Sequence, residues 1–184
     1  MPASEYGTDS PNVDRTHKTF VDYIERTRAY YLARGYGNPY AYAYYRRHVP
    51  FTPLRKPLAE SRVGIVTTAA PYQPDKGDQG PQAPYRMDVK FREAYAAPLE
   101  PAPDLRISHL AYDRKHTVPA DLNAYFPLAQ ARQAVQEGRI GSLSPRFYGV
   151  PTTYSQRATI SRDAPFILNE CRRDGVEIAV LPAV

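Results

Sequence analysis

A single cysteine and no tryptophan stand among the 184 residues, and the cysteine count already excludes whole classes of protein. One cysteine closes no internal disulfide and builds no cysteine-based zinc finger. No apolar run approaches the roughly 20 residues that a membrane helix needs. The amino terminus, MPASEY, lacks the basic region and apolar stretch of a secretory signal. Neither a Walker loop nor a Rossmann glycine fingerprint occurs, and Gly77 and Gly80 fall in a proline-rich stretch. No Gly-x-Ser-x-Gly elbow supports a serine hydrolase. The expectation is a cytoplasmic protein with no membrane span and no nucleotide motif.

What the chain has in abundance is proline (19) and tyrosine (16), within an ordinary 42% hydrophobic and 23% charged composition. That balance excludes wholesale disorder, yet much of the chain must run extended. The charge is uneven. Between Asp14 and Arg62 lie ten Lys/Arg and four acids, so the basic excess sits in the N-terminal third. Such a region suits an acidic surface or an anionic ligand.

Three regions follow. Residues 1–12 are polar and turn-rich, a flexible arm. Residues 13–61 form a basic, tyrosine-rich region: Phe20, Tyr23, Ile24, Thr27 and Tyr31 share a helical face over about 13–34, and Gly35 sits where a helix stop belongs. Tyr40, Tyr42 and Tyr44 then alternate along a proline-spaced extended segment. Residues 62–184 carry the core signal.

Val63–Ala69 (VGIVTTA) reads as a buried parallel strand. From Pro71 to Pro103 runs a long proline-rich connection, of the kind that is often functional or bound to a partner. Asp104–Leu110 alternates as a half-buried strand does. Pro127 opens a helix that Gly138 stops; Asp163 is a candidate N-cap of a second helix that Gly175 stops. Val176–Val184 (VEIAVLPAV) reads as another buried strand. The order predicts an α/β fold: an open, mostly parallel sheet with flanking helices, carrying an extended Tyr/Pro-rich N-terminal arm. Ligands of such sheets bind beyond the carboxyl strand ends, here near Thr67–Thr68, near Ser108–His109 and past Val184.

Three features carry chemistry and each has a plainer reading. His109, Asp113 and His116 are the one cluster with metal-ligand chemistry, but their spacing matches no known signature, and a hydrogen-bonded or substrate-facing histidine is the preferred reading. Cys171 falls on an apolar helix face, which marks a buried thiol rather than a nucleophile. The Tyr/Arg arm suits base stacking in principle. No nucleic-acid module accompanies it, so packing along a partner subunit is preferred.

Four segments recur together in order: Val49–Ala70 (VPFTPLRKPLAESRVGIVTTAA), Ser108–His116 (SHLAYDRKH), Asp121–Gly149 (DLNAYFPLAQARQAVQEGRIGSLSPRFYG) and Arg162–Val184 (RDAPFILNECRRDGVEIAVLPAV). Together they resemble the selenoprotein B family of glycine, sarcosine, betaine and D-proline reductases. The resemblance runs from about residue 15 to Val184. It implies reductive cleavage of a carbon–nitrogen bond by a selenocysteine or cysteine, with an external dithiol or thioredoxin-like reductant and no other cofactor. It also implies that the redox residue follows directly on the strand matched by Val176–Val184. No residue present takes that place, so downstream sequence lost at an in-frame UGA, or a companion subunit, is expected to supply it. Thr67, Thr68 and Tyr112 are the expected substrate-binding residues, with the threonines on a substrate carboxylate. His109 is the expected proton donor to the leaving amine. An oligomer with a companion reductase subunit is the expected assembly. The alternative is a non-catalytic binding or scaffold subunit of a larger complex.

Overall fold

The computed structural model describes residues 29, 32–35, 52–71, 91–107, 121–152 and 155–182. The chain divides into two compact units, Met1–Pro53 and Leu54–Val184. In the first, Leu32 and Ala33 are helical and Gly35 follows at φ 79°, donating its N–H to the Leu32 carbonyl at 3.1 Å. Gly35 ends that helix as expected. The rest of the expected arm and of the helix over 13–34 lies outside the described residues, apart from Ala29, which is helical.

The second unit is a mixed α/β fold around a mostly parallel sheet. A 3-10 turn (Leu58–Glu60) leads into β1 (Arg62–Thr67), the central strand. On one side of β1 lie β5 (Ser142–Leu143) and β6 (Arg146–Gly149), both parallel to it. They are two halves of one interrupted strand. Val63 pairs Leu143 but Val66 pairs Tyr148, so two extra residues are accommodated at Ser144–Pro145. Proline cannot donate to the ladder there, which confines the break to that point. On the other side of β1 runs β7 (Ile178–Val180), also parallel. An antiparallel strand, β3 (Tyr95–Pro98), borders β6. A separate ribbon pairs β2 (Ala70–Pro71) with β4 (Leu105–Arg106), antiparallel.

Alternation along β1 divides the core between the two sheet faces. Ile65 packs with Phe126, Leu128 and Phe147 beneath α1 (Leu128–Gln136). Val66 packs with Tyr148 and Cys171 beneath the second helix. That helix is continuous in three pieces: α2 (Gln156–Ala158), a π-helical turn (Thr159–Asp163) and α3 (Ala164–Arg173). Gly138 and Gly175, both at φ 67°, stop α1 and α3 as expected.

Several expectations need correction. Asp163 caps nothing: it is helical (φ −72°, ψ −46°), and the helix begins at Gln156. Pro165 lacks the N–H that Ser161 would receive and its ring crowds that carbonyl. Instead of starting a helix there, the chain absorbs the defect as a π turn, in which the Ala164 N–H reaches back to Thr159. The expected strand 104–110 is described only to Ile107, and only Leu105–Arg106 pairs, outside the parallel sheet. The connection from Pro71 to Pro103 contains β3, which the prolines concealed. Finally, β7 is an edge rather than a buried strand: among the described residues it pairs only with β1, and Val180 and Leu181 are 42% and 66% exposed.

Candidate functional site

The parallel strands set the direction of the sheet, and its carboxyl edge gathers Thr67, Gly149 and the chain after Val180. The Val150 N–H donates to the Thr67 carbonyl at 2.9 Å, which ties the ends of β1 and β6 together. In the register of β7, Val180 stands beside Ile65, so Pro182 is level with Thr67. Because β3 runs antiparallel and Tyr95 pairs Gly149, the chain enters β3 at this same edge. Arg92, three residues earlier, therefore lies beyond it.

Thr67 is buried and its hydroxyl is engaged as both donor and acceptor. It donates to the Tyr125 carbonyl at 2.7 Å and accepts from the Ala69 N–H at 3.1 Å. Next to it, Tyr95 donates its hydroxyl to the Ala69 carbonyl at 3.1 Å, and burial pushes its pKa up. The Tyr95 ring stands edge-on to both Phe91 and Phe147. Thr68 is half-buried at the same edge. His109 and Tyr112, the other expected site residues, lie outside the described residues, as do Asp113 and His116. Among the described residues no group of three or more His, Cys, Asp or Glu could hold a metal ion.

The π turn delivers Arg162 and Asp163 to this edge, a pair that the sequence did not place at a site. Asp163 is completely buried, and its Oδ1 accepts from Arg162 Nε at 2.8 Å. Arg162 Nη2 donates to the Arg92 carbonyl at 3.1 Å and makes a longer contact of 3.5 Å to Asp163 Oδ2. About half of the Arg162 side chain stays in solvent. Its hydrogen bond to Asp163 raises the guanidinium pKa further, so the group is charged at every relevant pH. The only signal in the sequence was Asp163-Ala164-Pro165 inside a helical pattern, which also fits an N-cap.

On the α3 face of the sheet, beneath the last turn of that helix, a second polar cluster forms. Arg146 makes two 2.9 Å hydrogen bonds to Asp174 and an ion pair of 2.7 Å to Glu170. The buried Tyr148 hydroxyl donates to Asp174 Oδ2 at 2.7 Å and lies 3.0 Å from the Ser144 hydroxyl. Cys171 is buried beside Tyr148, and burial pushes its thiol pKa up, away from the thiolate. Every member satisfies another, which is what anchors a helix end rather than what awaits a ligand.

At the amino edge lies a shallow cleft of about 530 Å3, lined by Lys56, Glu60, Arg62, Ser142, Arg172 and Glu177 among others. Two of its charges pair within the cleft. Lys56 meets Glu177 at 2.9 Å, and this pairing and the Arg62 N–H hold the Glu177 carboxyl below its usual pKa. Among the described residues no helix is long and apolar enough to cross a membrane. No family model, curated protein or solved structure matches the chain.

Proposed function

We propose that the chain is a component of a thiol- or selenol-dependent reductase that cleaves the carbon–nitrogen bond of a small amino-acid-like or amine substrate at the carboxyl edge of the sheet. The observation that carries this reading is the parallel register of β7 beside β1. The resemblance puts the redox residue directly after the segment matched by Val176–Val184. Because β7 runs parallel to β1, the chain leaving β7 heads toward the edge occupied by Thr67 and Thr68. Cys171 is not the redox group of this proposal, since it is buried, faces the helix–sheet core and favours the neutral thiol.

The chemistry balances with an external dithiol. Two electrons and two protons leave the dithiol as it closes to a disulfide. The substrate carbon gains one hydrogen in place of nitrogen, and the nitrogen leaves protonated. His109 is the proposed donor of that proton, with Thr68 and Tyr112 as substrate contacts and Thr67 holding the strand end in place. A complex purified through a tag on this chain is expected to release amine from glycine, sarcosine or betaine, or to open the ring of D-proline, only when a dithiol is supplied. His109→Ala in that complex should lower turnover sharply. Unchanged kinetics would remove His109 from the site, and absence of dithiol-dependent cleavage with all four substrates would remove the reductase reading.

The exposed edge of β7 favours one second reading. With Val180 and Leu181 in solvent, the edge can add a strand from another chain, as a scaffold subunit would. In that case a stable assembly forms and no dithiol-dependent activity accompanies it.

A further inference from the structure

A small organic carboxylate is held most strongly by a fixed hydrogen-bond donor carrying positive charge, and the buried hydroxyl of Thr67 supplies none. A hydroxyl has a single hydrogen, and that of Thr67 is already given to the Tyr125 carbonyl. The π turn offers a better group at the same edge. Arg162 Nε is held by Asp163, which is itself fully buried, and Nη2 is held by the Arg92 carbonyl. Two of the three guanidinium nitrogens are thus anchored, and the plane of the group is set before any ligand arrives. Nη1 makes no hydrogen bond among the described residues and carries two hydrogens, while about half of the side chain remains in solvent. An anchored guanidinium with one donor nitrogen left over loses little entropy on binding a carboxylate. π turns inside helices recur at functional sites, and this one stands where open α/β sheets bind ligands.

We propose that Arg162 binds the carboxylate of the substrate through Nη1, with Asp163 and the Arg92 carbonyl as its positioning partners. This rests on the reductase reading for the identity of the ligand, but its test does not need turnover. The full chain in its native assembly is treated with phenylglyoxal, and modification of Arg162 is followed by peptide mass spectrometry. Glycine, sarcosine, betaine and D-proline are added in turn, with methylamine as the analogue lacking a carboxylate. At saturating concentration, at least one of the four should slow modification of Arg162 several-fold while methylamine leaves it unchanged. Equal rates with and without all four overturn the proposal. So does equal protection by methylamine, which would make the carboxylate irrelevant. In assemblies that turn over, Arg162→Gln is expected to raise KM for the carboxylate substrate at least tenfold with a much smaller change in kcat, and Arg162→Lys to recover part of the loss. An unchanged KM in Arg162→Gln overturns the proposal and leaves the reductase reading standing. Protection of Arg162 in an assembly that never cleaves substrate supports the binding site and removes the reductase reading alone.

Discussion

Arg146 and Asp174 meet through two hydrogen bonds of 2.9 Å, Nε to Oδ2 and Nη2 to Oδ1, and so fasten the end of α3 to β6. Burial alone would raise the Asp174 carboxyl, but hydrogen bonds from Arg146 and Tyr148 more than offset it and hold the pKa below the ordinary 3.8. A carboxyl whose folded pKa is depressed contributes stability that is complete above its unfolded pKa and is lost as the pH falls through the folded one. Asp174→Asn should therefore cost about 3 kcal/mol at neutral pH, the lower end for breaking a largely buried pair. Urea denaturation of both forms across the acid range is the check. The gap between them should narrow as the pH falls below 3.8. A gap independent of pH would show that the pair does not act through its charge.

Gly149 and Tyr95 are direct cross-strand partners, and a Cβ on Gly149 would fall 1.9 Å from the Tyr95 ring. Gly149→Ala must displace that ring, and with it the hydroxyl bond to Ala69, at a cost of about 1–3 kcal/mol. In a Tyr95→Ala background the same substitution should cost much less. Thermal denaturation of the four proteins gives the coupling. Equal costs in both backgrounds would mean that the ring does not fill this space.

Thr67→Val removes the hydroxyl while keeping the shape, leaving the Tyr125 carbonyl and the Ala69 N–H without that partner. The loss should be about 1–3 kcal/mol, the range for orphaning buried polar groups. Thr67→Ser should recover most of it. A Val variant as stable as the parent would show that solvent reaches these groups.

Cys171 should resist alkylation in the folded chain and react only under denaturant. Burial raises its pKa, and the residue is 7% exposed. The measurement is iodoacetamide labelling followed by mass at pH 8. Stoichiometric labelling without denaturant would put the thiol in solvent and reopen its role as a nucleophile.

The parts of the fold that were legible in the sequence are those with strong local signals. The β-branched run of β1, the Pro127–Gly138 frame of α1 and the glycine stops of α3 and of the N-terminal helix are all fixed by nearest-neighbour chemistry. β3 and the β5–β6 pair were not legible. Tyr95–Pro98 is four residues ending in proline, and Ser144–Pro145 splits the other strand into pieces too short to alternate. Their pairing partners, not their own residues, make them strands. That Thr67 and Thr68 lie at the carboxyl end of β1 was legible, whereas the placement of Arg162 and Asp163 was hidden because a π turn has no sequence period of its own. Only the helix running through Pro165 shows that Asp163 turns inward instead of capping.

The most direct test of the proposed function is the stoichiometry of cleavage in the assembly purified through this chain. A 15N-labelled substrate is incubated with a dithiol, and cleaved label (free amine, or the linear amino acid from D-proline) and disulfide are measured in the same sample. Reductive cleavage should give one carbon–nitrogen bond broken for each dithiol oxidised and none without dithiol. Cleavage without dithiol oxidation, or no cleavage of any of the four substrates, would contradict a reductase role for this protein.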